Sequence, residues 1–149
     1  MLLLGTKNVV PQDLAVNELI NLGTNYSVWC KTVNGVKAFS RTDTSVTLQQ
    51  QGKYHITAVF VAGGEAGIVT FQALSNGVAI PGILTSETIT TADTQIRTFV
   101  IDFYVTVDSS CVLGVKAITP QTIAFQNTGV ESTISSVVVN IDKVVGAYA

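Results

Sequence analysis

Two long segments decide most of what this chain can become. "GKYHITAVFVAGG" places Tyr54, Ile56, Ala58 and Phe60 on one face and His55, Thr57, Val59 and Val61 on the other, before Gly63-Gly64 ends it. "QIRTFVIDFYVTVDSS" likewise sets Phe99, Ile101, Phe103, Val105 and Val107 against Thr98, Val100, Asp102, Tyr104 and Thr106. A period of two, carried by β-branched and aromatic residues, is the signature of a strand. The phenylalanine face of the second segment is the expected core. In the first, the second face turns apolar at its far end, as in a strand covered from both sides there.

The remaining segments follow suit. "AGIVTFQALSNGVAIPG" opposes Val69, Phe71 and Ala73 to Thr70 and Gln72, and Asn76-Gly77 then supplies the positive-φ residues of a two-residue hairpin turn. Val78 to Ile80 is its returning strand, which Pro81 is expected to close or leave at an edge. "CVLGVKAI" and "QTIAFQ" are two further strands split by Thr119-Pro120, and "SSVVVNIDKVV" is the last, with Val137, Val139 and Ile141 inward. The architecture expected is an all-β sandwich or jelly roll. "PQDLAVNELINLG" alone lets a helix compete, through Leu14, Glu18 and Leu19; Asn17, Asn21 and Gly23 favour a strand. Residues 1–14 read either as an arm outside the domain, with Leu2, Leu3 and Leu4 as anchor candidates, or as a strand at the sheet edge; residues 15–149 form the domain.

A chain of 149 residues suits one domain with a core of its own. Hydrophobic residues make up 47% and charged residues 12%, about half the usual charged share. The outside must therefore be Thr, Ser, Asn and Gln, or be buried against a partner, so oligomerisation is expected. Mean hydropathy is +0.44, yet no apolar run approaches the roughly 20 residues that span a bilayer, and "MLLLG" lacks the basic lead and cleavage site of a secretion signal. A soluble chain made in the cytoplasm is expected, with no membrane partner. A net charge of −2 and eight dispersed Lys and Arg argue against nucleic acid.

Chemistry is sparse. His55 is the one histidine, with no sequence neighbour to complete a metal site or activate a nucleophile, and reads as a packed or surface residue. Glu65, Glu87, Asp93 and Asp102 could be proposed as a glycosidase pair, but sequence does not bring any two together. "GGEAG" lacks dinucleotide-loop spacing, and the sequon "NYS" at Asn25 to Ser27 carries no weight without a secretion signal. Cys30 and Cys111 read as small buried hydrophobes rather than a disulfide. Tyr26 and Trp29 read as core or interface packing, with stacking on a sugar as the alternative. Neither catalysis nor a cofactor is expected.

The order "GKYHITAVFV", "AGIVTFQALSNGVAIPG", "SSVVVNIDKVV" resembles the trimeric jelly roll of the tumour-necrosis-factor and complement-globular-head superfamily. It is most like the C-terminal domain of the collagen-like glycoprotein of Bacillus spore surfaces and related phage head-fibre and decoration proteins. The resemblance covers roughly Thr44 to Val145. It implies about ten strands and a homotrimer, with Tyr54, Ile56, Val144 and Val145 as interface candidates. No Gly-x-y stalk precedes the domain, which favours a virion component over a spore-surface protein. What the resemblance implies is then a non-enzymatic structural protein of a bacteriophage particle, partnered by itself and by other virion proteins such as the capsid protein. A receptor- or glycan-binding tip using Tyr26 and Trp29 on a host-surface glycan is the runner-up.

Overall fold

The computed structural model describes residues 2–10, 12–64, 66–90, 96–118, 123–125 and 137–144. They form twelve strands and no α-helix: β1 (Leu2–Asn8), β2 (Gln12–Leu14), β3 (Thr24–Val28), β4 (Phe39–Arg41), β5 (Val46–Leu48), β6 (Gly52–Gly64), β7 (Gly67–Ser75), β8 (Val78–Ile89), β9 (Ile96–Val107), β10 (Cys111–Ala117), β11 (Ile123–Phe125) and β12 (Val137–Lys143). All the pairings are antiparallel, in two sheets. In the first, β9 runs along one edge of β6 from Gly52 to Gly63. The other edge of β6 pairs with β12 over Tyr54 to Phe60 and with β11 over Ala62 to Gly64. Outside β12 come β1 and then β3, and outside β11 comes β2. The second sheet runs β4-β5-β10-β7-β8.

The faces found by alternation are the faces that pack. Tyr54, Ile56, Ala58, Phe60, Phe99, Ile101, Phe103 and Val107 are buried from the first sheet, and Val69, Phe71, Ala73, Leu113 and Val115 from the second. At the centre Phe60 and Phe99 lie nearly parallel with centroids 5.7 Å apart, and Phe71 from the opposite sheet meets both edge-on at 4.7 and 5.1 Å. Offset and edge-to-face contacts of this kind add to the area the rings bury.

Two parts of the sequence reading are corrected. Residues 2–8 are neither a free arm nor an edge, because β1 lies between β12 and β3. Leu3 and Leu4 are buried and Leu2 half-buried, so these leucines belong to the core rather than to an external anchor. A bulge between Leu2 and Leu4 breaks the period of two that would have marked the strand. Segment 15–20, where the sequence favours a strand over a helix, is neither: Asn17 turns the chain with φ 69°, and Leu19 alone forms a bridge, to Lys116. Thr119, Pro120 and Val145 lie outside the described residues.

The hairpin at Asn76-Gly77 is as expected, with φ of 53° and 79°, but its second strand does not stop at Pro81. β8 is the outermost strand of its sheet, so a residue without an N–H is tolerated there. The register slips between Gln72 and Leu74, whose partners are Leu84 and Ala79. The buried Gln72 fills the slip, its Nε2 lying 2.9 Å from the carbonyl oxygens of Ala73, Ile80 and Ile83. Gln72→Leu should therefore cost about 1–3 kcal/mol by stranding those carbonyls, read as a lower urea midpoint. Thr6 presents the opposite case: its side chain is fully buried and its Oγ1 has no hydrogen-bond partner among the described residues. Thr6→Val keeps the shape and removes the orphan, and should raise stability by about 1 kcal/mol in the same assay.

Candidate self-association face

The outward side chains of β6, β9 and β12 form a surface that no other part of the described chain covers. Register sets it out in rows. Val138, Val59 and Val100 stand directly opposite one another across the three strands; Val100 is 51% exposed, Val59 is exposed and Val138 half-buried. The next row is Asn140, Thr57 and Asp102, and the one after it Asp142, His55 and Tyr104. Tyr104 is 64% exposed. The outer face of the second sheet also shows Ile68, Leu84 and Val112, but the Thr70–Ser86 hydroxyl pair and Lys116 interrupt them.

His55 is the structured centre of the polar rows. Its ring stacks on Tyr104 at 4.5 Å between centroids and 15° between planes. Its Nε2 pairs with Asp102 Oδ1, to which Thr57 Oγ1 also donates at 3.4 Å. This carboxylate lies 47 residues away in the chain and is brought to His55 by the β6–β9 register. With Asp102 in place the site still holds no third metal-capable side chain: no group of three or more His, Cys, Asp or Glu suited to a metal occurs among the described residues.

Beyond β12 the face continues to β3. The Tyr26 ring lies against the backbone of Gly5, where a Cβ would sit 2.4 Å from the ring carbon Cζ, and its hydroxyl donates to Asn140 Oδ1. Only glycine permits that approach. Tyr26 and Trp29 are 46% and 53% exposed, so they are surface residues and not core. Cys30 is also exposed, contrary to expectation; Cys111 is buried, and both are free thiols.

The interface candidates are redistributed. Tyr54 and Ile56 point into the chain's own core, with the Tyr54 hydroxyl donating to Gln50 O at 2.7 Å, so neither offers a surface to a second copy. The outward residues of that strand are the alternate ones. Val144 is half-buried, its N–H bonded to Lys53 O at 2.9 Å. Of the acids considered for catalysis, Glu65 and Asp93 lie outside the described residues, and Glu87 is on β8 of the other sheet. A polar cleft beside β1, lined by Lys7, Asn8, Gln12, Asn21 and Asp43, spends its amides internally. Asn8 and Gln12 both donate to Asn21 O, and Asn21 N–H donates back to Gln12.

No protein-family model matches the sequence, and no curated protein does. Solved structures do resemble it in fold. The Eiger tumour-necrosis-factor protein of S. frugiperda superposes with a TM-score of 0.66 at 6% identity, over 99% of this chain and 96% of that one. For murine APRIL the values are 0.63 and 6%, over 95% and 98%. For the globular domain of zebrafish complement 1qA protein they are 0.62 and 8%, over 93% and 94%. The chain thus has the jelly-roll fold of the tumour-necrosis-factor and complement globular domains.

Proposed function

We propose that this chain is a non-enzymatic structural subunit that assembles as a homotrimer through the outer face of β9, β6 and β12, and that the trimer is a surface component of a bacteriophage particle. The observation that carries the reading is the row Val138, Val59, Val100, with Tyr104 exposed on the same face two rows along, beyond Asp102. Apolar side chains aligned on a sheet face, in a chain with few charges, are surface left for a partner. An identical copy is the economical partner, because closed symmetric association hides the same patch on every subunit. Three copies, rather than two, follow from the superfamily resemblance and agree with the fold.

One observation supports a non-enzymatic role. His55 meets one carboxylate on an open sheet face, with Tyr104 and Thr57 as its other neighbours, and such a pair lacks the enclosed pocket and converging groups of a catalytic site. The phage setting rests on the resemblance over residues 44–145. Light scattering on a sizing column should give three times the 15.7 kDa chain mass; a single-chain mass at micromolar concentration would refute the assembly. Mass spectrometry of purified particles tests the setting, and absence of the chain from them would refute it.

One observation favours a second reading. Tyr26 and Trp29 are exposed aromatic residues, and Tyr26 is held flat by Gly5 and Asn140, as a sugar-stacking ring needs to be. A glycan array on which binding disappears with Trp29→Ala would support a tip module; an empty array argues for the purely structural role.

A further inference from the structure

We infer that assembly through this face is coupled to protonation of His55, so that the trimer is tighter in mildly acidic than in mildly alkaline solution. The inference rests on the homotrimer reading and concerns the regulation of the same face. His55 stands in the row directly below Asn140, Thr57 and Asp102, within the surface that assembly covers. The ionisable groups facing it can be named strand by strand. Asp102 and Tyr104 come from β9, Asp142 stands directly opposite on β12, and Lys53 is two residues along β6 itself. With the imidazole neutral, two carboxylates face one ammonium, and each copy brings the same negative excess to the contact. The Asp102 side chain is 56% exposed in the single chain, so water now does much of the work of solvating its charge.

Covering the face removes that water. A carboxylate losing solvent is best compensated by a full opposite charge at hydrogen-bond distance, and His55 can supply one by taking a proton from solution. The covered state therefore binds a proton at His55 more tightly than the single chain does. The sign follows from linkage. Association is strengthened wherever the assembled state holds more protons, so the gain grows as pH is lowered from mildly alkaline to mildly acidic. The site occurs once per chain and three times per trimer, which multiplies a modest effect.

The test is the monomer–trimer association constant of the full chain, measured by analytical ultracentrifugation at about pH 8 and about pH 6 at fixed ionic strength, with mild urea where needed to populate both species. The wild-type constant should rise about a hundredfold, each of three sites contributing about fivefold. His55→Gln keeps a hydrogen-bonding side chain beside Asp102 and should form a trimer whose constant changes less than about threefold over the same range. Asp102→Asn removes the charge that calls for the proton and should be similarly flat; it decides the matter if the glutamine variant does not assemble. A wild-type trimer indifferent to pH overturns this inference and leaves the homotrimer standing, as does a His55→Gln trimer with the full response. A wild-type chain that stays single at both pH values overturns both.

Discussion

Val59→Lys should leave the jelly roll folded and break its assembly into single chains. Val59 is the middle of the valine row on the outer face of β6, flanked by Val138 and Val100 at register positions. In the isolated chain its side chain meets water, so a lysine there costs the fold little, its stem lying along the sheet and its ammonium reaching solvent. In the trimer the same ammonium would be enclosed among apolar groups without a counter-charge, a cost of several kcal/mol per site after relaxation. Three sites per trimer should weaken association by about a thousandfold or more. Light scattering then reads one chain mass where the parent gives three, and circular dichroism reads an unchanged β-sheet spectrum. An intact Val59→Lys trimer would move the interface elsewhere on the molecule.

The second large effect concerns the core. Phe71→Ala removes a ring that packs edge-on against both Phe60 and Phe99 from the opposite sheet, and all three residues are nearly inaccessible to solvent. Truncating a phenylalanine in such a site costs about 3–5 kcal/mol, through lost transfer energy and an unfilled cavity. Against a total stability of about 5–15 kcal/mol for a domain of this kind, that is a large fraction. Made in the single-chain Val59→Lys background, so that folding is not mixed with assembly, the change should lower the thermal midpoint by about 10 °C. Phe71→Leu should lose markedly less. A Phe71→Ala protein as stable as its parent would mean that the sheets do not pack as described.

How much of this was legible in the sequence depended on whether a segment is regular and what lies beside it. β6 and β9 alternate over twelve or more residues, so the two faces of each could be separated residue by residue, and for β9 the inward one could be named. The Asn76-Gly77 turn carries its own backbone requirement and was equally plain. β1 was legible only as one of two alternatives, a strand or an arm, because the bulge at Leu2 to Leu4 scrambles the alternation just where the leucines would have announced a buried strand. The extension of β8 past Pro81 was hidden for a different reason: proline ends a central strand but not an edge one, and edge position is a property of the sheet. Tyr54 shows a subtler limit. Its strand forms part of the proposed contact, but a shift of one residue exchanges core for surface, and the outward residues of that strand are His55, Thr57 and Val59. The His55–Asp102 pair could be found only from the β6–β9 register. Trp29 and Cys30 are residue types that usually lie inside; here they follow β3, the strand at one end of the sheet's order, and are exposed.

Hydroxyl-radical footprinting of Tyr104 puts the central claim to its most direct trial. This ring is 64% exposed on the single chain, and covering the face by other copies must hide it. Native protein should label at Tyr104 several-fold more slowly than the Val59→Lys single chain, while Trp29 labels alike in both and serves as the internal reference. Equal labelling of Tyr104 in the two proteins would contradict burial of this face.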